Sequence, residues 1–173
     1  MRSEVFGSTL EPVWDDDIAN QSPPVVAVRS IRIAGTSHSV ILSIQVTYER
    51  EDGSLYVAPR RGDFATTFQV TDIILAQDEC IVQVQGVVSA FTSGVVTPVQ
   101  LTFVIRLADG TTVTYGPFGT GDGVPFSVEG NILGFFGRAT TSIAGIGFDY
   151  QSLDFSPTTT DSVVMTTNPS NQG

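Results

Sequence analysis

Residues 115–147 read YGPFGTGDGVPFSVEGNILGFFGRATTSIAGIG, and this stretch decides the fold. Its apolar runs are short, and Gly or Pro interrupts them every few residues, which is typical of antiparallel strands joined by tight turns. No window of the chain that is long enough for a helix carries a sustained apolar period of 3.6 residues. The stretch therefore predicts an all-β protein.

Outside this stretch, apolar and polar residues alternate with a period of two. Residues 43–48 (SIQVTY), 82–85 (VQVQ) and 101–105 (LTFVI) show the alternation, which places one face of each strand in a core. Asp-Gly pairs at 52–53 and 109–110 are turn signals between such strands. Many short strands at roughly even spacing predict a sandwich, a barrel or a prism.

Composition narrows the classes of partner. The chain has 173 residues, enough for one domain, and its formal net charge is −10 with 8 basic and 18 acidic residues. Such an acidic chain repels phosphate backbones and anionic lipids, which argues against nucleic-acid and membrane partners. No apolar run reaches the roughly 20 residues of a membrane-spanning helix. The first residues lack the apolar core of a signal peptide, so we expect a cytoplasmic or unconventionally secreted protein, with the compartment itself left open.

Side chains that carry catalysis or bind metals are sparse. Cys80 is the single cysteine, which excludes an intrachain disulfide and a zinc site built on thiolates. His38 is the single histidine and no nucleophile motif accompanies it, so we predict no serine-type triad and no enzyme. Asp15–Asp17 offer three carboxylates, but they lack the spaced oxygens of a calcium loop, which favours a solvated turn and no metal. We expect no cofactor, and we expect Trp14 to pack on the core edge rather than stack on a ligand.

The order of several motifs resembles that of the jacalin-related lectins. Residues 14–16 resemble the family's Trp-Asp-Asp-Gly, with Asp17 in place of Gly, residues 115–119 resemble Tyr-Gly-Pro-Phe-Gly, and residues 134–138 match Gly-Phe-Phe-Gly-Arg. The resemblance runs over about residues 7–150. It implies a β-prism I fold of three Greek-key antiparallel sheets with pseudo-threefold symmetry, and a sugar-binding function without catalysis.

We expect a lectin domain over residues 1–152 and a flexible polar tail over residues 153–173. From this resemblance we also expect the protein to form a homodimer. The expected partner is a glycan or glycoprotein, such as a mannose-type oligosaccharide.

The resemblance also implies where a sugar binds, and here this chain departs from the family. The family holds the sugar with a Gly-x-x-x-Asp loop and with a Gly close to the Trp-Asp-Asp motif. The loop Asp falls on Ala144, the loop Gly on Thr140 and the other Gly on Glu11. In members with a second site, its Asp falls on Leu42. We therefore predict an altered or degenerate site, because a fixed carboxylate that accepts from two sugar hydroxyls is missing.

The candidate residues of the first site are Glu11, Thr140, Thr141, Ser142 and Ala144, and those of the second are Leu42, Arg60, Arg61, Gly62 and Asp63. The sequence leaves alternatives open for both. A shifted alignment would let Glu11, Asp15 or Asp149 supply the carboxylate. Residues 60–63 can be interpreted either as a solvated hairpin with a local Arg–Asp pair or as a recognition loop. A protein-interaction domain without sugar binding, or a targeting domain of a larger protein, is the alternative function.

Overall fold

The computed structural model describes residues 1–35, 40–63, 69–90 and 96–153. His38 and the predicted tail beyond Leu153 lie outside these residues. One short 3-10 turn, Ile18–Asn20, accompanies the strands, so the all-β prediction is confirmed. The strands of the described residues are β1 Phe6–Gly7, β2 Val13–Asp15, β3 Val25–Gly35, β4 Ile41–Arg50, β5 Leu55–Val57, β6 Arg61–Gly62, β7 Val70–Ile74, β8 Cys80–Ala90, β9 Val96–Arg106, β10 Thr112–Phe118, β11 Val124–Glu129, β12 Asn131–Ala139 and β13 Ile143–Gln151.

The strands form three antiparallel sheets with the same internal order. The first sheet runs β5-β4-β3-β7, with β6 also paired to β4, and the second runs β10-β9-β8-β11. In each, three consecutive strands lie side by side and the fourth returns beside the first, which is the Greek key. The third sheet runs β1-β13-β12-β2, so it repeats that order with strands from both ends of the chain. The three repeats confirm the predicted β-prism.

The two ends of the chain are joined within the third sheet. The terminal ammonium of Met1 donates to the Tyr150 carbonyl at 2.7 Å, and the Tyr150 N–H donates to the Met1 carbonyl at 2.9 Å. On the other side of the sheet, β2 pairs with β12 through Val13 and Arg138. Because both segments are fixed, the loop between β1 and β2 lies beside the loop between β12 and β13.

The core lies between the inward faces of the three sheets. Phe103 of the second sheet packs on Phe135 of the third with ring centroids 6.4 Å apart, and Phe135 meets Phe148 edge-on at 5.4 Å. Trp14 is 6% exposed, so the prediction that it packs at the core is confirmed. The largest fully buried side chains are Tyr48, Phe103, Phe135, Phe148, Ile31, Ile33, Ile41, Ile44, Ile73, Ile81, Leu101 and Ile105.

Two strands depart from the predicted alternation: Ser43 of β4, on the polar side of the pattern, is fully buried, and β8 changes face. Residues 82–85 predict Val82 and Val84 on the same face, but Ile81 and Val84 are the buried pair and Val82 is half-buried. A bulge between Ile81 and Gln83 in the pairing of β8 with β9 changes the face at that point. No helix among the described residues is long and apolar enough to cross a membrane.

Candidate functional site

Three segments meet at one end of the prism. We call residues 8–12 the N-terminal loop, residues 140–142 the tip loop and residues 60–63 the hairpin loop. The N–H of Ala139 donates to the Pro12 carbonyl at 3.2 Å, which ties the N-terminal loop to the start of the tip loop. The N–H of Asp63 donates to the Thr141 carbonyl at 3.2 Å, which ties the hairpin loop to the tip loop. The residues predicted for two sites therefore belong to one continuous surface.

The tip loop presents hydroxyl groups, while Ala144, which follows it in β13, is buried. Thr140 and Thr141 are exposed and Ser142 is half-buried, while the Thr140 N–H donates to the Ser142 carbonyl at 3.0 Å and closes a tight turn. Ala144 is only 6% exposed, and its carbonyl accepts from the Ser8 N–H at 2.9 Å. The tip loop thus offers neutral hydroxyls where the family resemblance implies a carboxylate.

Glu11 brings a carboxylate to the same end of the molecule. Nη1 of Arg138 donates to the backbone carbonyl of Glu11 at 3.1 Å, which fixes this residue against the end of β12. The side chain is half-buried, and its Oε2 atom is fully enclosed without a hydrogen-bond donor among the described residues. An enclosed acceptor without a donor is uncommon in folded proteins.

The hairpin loop is held to β4 by its backbone. Leu42 is half-buried, and its carbonyl accepts from the Asp63 N–H at 3.1 Å. Gly62 pairs with Ser43 and has φ +79°, a left-handed conformation that favours glycine. Arg60 and Asp63 are exposed. The hairpin loop thus forms one edge of the surface made by the three segments, and its backbone is hydrogen-bonded to β4.

Arg61 points into the protein rather than outward. Its side chain is 19% exposed, and Nη2 donates to the Asp15 carbonyl at 2.9 Å and to Oδ1 of Asp16 at 3.2 Å. The guanidinium also lies 5.3 Å from the centre of the Trp14 ring. The ion pair therefore joins Arg61 to Asp16 and not to Asp63, and the local Arg–Asp pair anticipated within the hairpin is not formed by Arg61.

The aspartate run does not form the solvated turn that the sequence suggests. Asp16 is 1% exposed, and Oδ2 accepts from the Tyr48 hydroxyl at 2.6 Å. Asp15 accepts from Arg2 at 2.9 Å, whereas Asp17 accepts from Asn20 at 2.6 Å. The three carboxylates thus have separate partners. Within the described ranges, no group of three or more His, Cys, Asp or Glu side chains is arranged to hold a metal ion.

Burial perturbs the acid–base chemistry of this cluster. It raises the pKa of Asp16 from 3.8 to about 6, and the hydrogen bond from Tyr48 and the charge of Arg61 oppose that rise without cancelling it. The charge of Asp15 adds to the rise. Burial, together with the charge of Asp16, also raises the pKa of the Tyr48 hydroxyl. Asp16 is therefore the group of this cluster whose charge changes near neutral pH.

We expect the contribution of Asp16 to stability to decrease as the pH rises. The native carboxyl group binds its proton at a higher pH than the unfolded one, so the part of this contribution that is linked to the proton is full below about pH 4 and is lost as the pH passes about 6, while the contacts with Tyr48 and Arg61 remain. The difference in unfolding free energy between the wild type and Asp16→Asn should fall by about 2–3 kcal/mol from pH 4 to pH 7, at about 1.4 kcal/mol per pKa unit. Urea unfolding at several pH values measures it. A difference that stays constant over this range would contradict the prediction.

Three Greek-key sheets closed around one core, with paired loops at one end, define a β-prism of the lectin type. The sequence model of the Jacalin-like lectin domain family matches residues 3–149. This chain belongs to that family, and membership implies carbohydrate binding by proteins that are generally not enzymes.

Individual relatives agree with this assignment. The chain is 33% identical over 130 residues to the agglutinin alpha chain of Maclura pomifera, covering 73% of this chain and 89% of the relative. Recombinant single-chain jacalin has 27% identity and a TM-score of 0.70, with 86% of this chain and 91% of jacalin covered. A mannose-specific jacalin-related lectin from Morus nigra, solved in complex with mannose, has 25% identity and a TM-score of 0.69, with 86% and 92% covered.

Proposed function

We propose that this protein is a carbohydrate-recognition module in which the N-terminal loop, the tip loop and the hairpin loop together bind an extended neutral glycan. The observation that carries the proposal is the tip loop itself. Ala144 is buried where the family resemblance implies a carboxylate, while Thr140 and Thr141 remain exposed and the neighbouring loops are hydrogen-bonded to it. Several shallow contacts, rather than one strongly held monosaccharide, fit such a surface.

Charge-assisted hydrogen bonds contribute about 1.5–3 kcal/mol each, so the loss of a carboxylate weakens monosaccharide binding by a large factor. An oligosaccharide recovers affinity by contacting more than one loop. The net charge of −10 favours neutral sugars over acidic ones, and at this end the carboxylates of Glu11 and Asp63 offset the charge of the exposed Arg60. The Morus nigra lectin binds mannose, so mannose oligosaccharides are the first ligands to test.

The test is a glycan array followed by isothermal titration calorimetry with mannose, galactose, glucose and a mannose oligosaccharide. We expect the oligosaccharide to bind at least tenfold more tightly than any of the three monosaccharides. Tight binding of one monosaccharide would contradict the proposed mode of binding. An array without signals from a folded protein would instead favour a protein-interaction domain. Homodimer formation remains a prediction, which sedimentation equilibrium checks.

Returning the carboxylate to the tip loop should restore monosaccharide binding. In the double variant Ala144→Asp with Glu11→Gly, we expect the affinity for methyl α-mannoside to rise at least tenfold, because a single charge-assisted hydrogen bond is enough for a tenfold change. Titration calorimetry measures the affinity. Glu11→Gly alone is the control and should show no gain. Since Ala144 is buried, thermal unfolding should first establish that the double variant folds, and a folded variant without gain would count against the prediction.

A further inference from the structure

Glu11 is held against the end of β12, next to the tip loop. Its backbone carbonyl is bound by Arg138, and the carbonyl of the next residue, Pro12, is bound by the N–H of Ala139. These two contacts hold the residue against the start of the tip loop. The backbone of Glu11 therefore lies beside the end of β12, which leads directly into the exposed Thr140 and Thr141.

The hydrogen bonding of this carboxylate is incomplete. Oε2 of Glu11 is enclosed without a donor among the described residues, although a carboxylate oxygen that leaves water normally acquires one. The neighbouring carboxylates differ, since Asp15, Asp16 and Asp17 each accept a hydrogen bond from a side chain. Because Oε2 has no hydrogen bond to lose, turning the carboxylate outward toward a ligand has a small energetic cost.

We propose that Glu11 is the ligand-binding carboxylate of this protein, so that the acceptor has moved from the tip loop to the N-terminal loop. This inference rests on the proposed function and names the side chain that binds the ligand. The ligand supplies the missing donor as a pair of neighbouring sugar hydroxyls, with Thr140 and Thr141 beside them. A sialylated or sulfated glycan is disfavoured, because its anion meets the Glu11 carboxylate while the Arg61 guanidinium is engaged by Asp16.

The experiment compares the wild type, Glu11→Ala and Glu129→Ala on an array of neutral, sialylated and sulfated oligosaccharides. Glu129 is the matched control, an exposed glutamate that lines a cavity of about 590 Å³ on the second sheet. We expect Glu11→Ala to lose at least tenfold in affinity for the neutral glycans that the wild type binds, and Glu129→Ala to match the wild type. Urea unfolding provides a second readout, in which Glu11→Ala should be as stable as the wild type or more stable.

Each other outcome overturns the inference in a distinguishable way. Equal glycan binding by the wild type and Glu11→Ala would remove Glu11 from the site and leave the lectin function intact. A preference of the wild type for sialylated or sulfated glycans would also exclude a gripping carboxylate. Lost binding together with a lower unfolding free energy would assign Glu11 a structural role. A wild type that binds no glycan would overturn the proposed function and this inference with it.

Discussion

Replacing Asp16 by alanine is expected to destabilise the protein by about 3–5 kcal/mol, the largest effect of a single substitution that we predict. Asp16 is 1% exposed and accepts from the Tyr48 hydroxyl at 2.6 Å and from Arg61 at 3.2 Å. The alanine leaves the buried Tyr48 hydroxyl without its acceptor and the Arg61 guanidinium without its carboxylate, with only the Asp15 carbonyl still accepting from Arg61, and such groups keep much of their cost of desolvation. It also removes the hydrogen bond that joins Asp16, the residue after β2, to Tyr48 of β4.

Urea unfolding at pH 7 measures this loss of unfolding free energy. If the dependence of the free energy on urea concentration is unchanged, the two proteins expose the same amount of surface on unfolding and their values can be compared. Asp72→Ala is the control. Asp72 forms an ion pair with Arg32 at 2.8 Å, but both side chains are about half exposed, at 45% and 52%. Pairs of this kind contribute about 0–1 kcal/mol. Equal losses of unfolding free energy in Asp16→Ala and Asp72→Ala would show that the Asp16 cluster is not a buried network.

Replacing Gly62 by alanine is expected to cost about 2–5 kcal/mol and to loosen the tip loop. A Cβ atom at this position would lie 2.0 Å from the Leu42 carbonyl oxygen, which belongs to the backbone of β4 and moves only with the strand. The left-handed φ of +79° adds about 1–2 kcal/mol for a residue with a side chain. A displaced hairpin loop also carries the Asp63 N–H away from the Thr141 carbonyl, which it meets at 3.2 Å in the native chain.

The variant Gly53→Ala separates the cost of the steric clash from the cost of the left-handed φ. Gly53 has a similar φ of +83°, but a Cβ atom there would have no neighbour within 4 Å. Its substitution should therefore cost only the conformational part, about 1–2 kcal/mol. Thermal unfolding compares the two variants, and hydrogen exchange of the amides of residues 139–142 reports on the tip loop. Equal stabilities of both variants, or unchanged exchange in Gly62→Ala, would argue against the coupling of the loops.

Strand alternation predicted the core where the pairing is regular. The parity of residues 43–48 and 101–105 correctly placed Ile44, Tyr48 and Phe103 inside. It was wrong at Val82, because a bulge depends on the partner strand and leaves no mark in the local alternation. Local sequence patterns could not predict the third sheet either, because β1 pairs with β13 and β2 pairs with β12 across the length of the chain.

The site was less predictable than the fold. Motif order assigned Ala144 and Glu11 to positions near a sugar site, and the structure brings their loops together, although their role in binding remains a prediction. Asp16 was missed because three adjacent aspartates resemble a solvated turn. Tyr48 was the available signal: the alternation of residues 43–48 places it on the buried face, and a buried hydroxyl needs a hydrogen-bond acceptor. Sequence reasoning also lacked any basis for pairing Arg61 with Asp16, which are 45 residues apart.

The joining of the first and last strands in one sheet has a consequence for biosynthesis. The contact between Met1 and Tyr150 spans 149 residues, and the N-terminal loop is held by groups that follow β11. A ribosome therefore releases the first strands long before their partners exist, whereas the first and second sheets complete within continuous stretches of nascent chain. Contacts of such long range form slowly. The end of the prism that carries the three loops is thus the last part of the domain to assemble, and it is complete only after translation has passed β13.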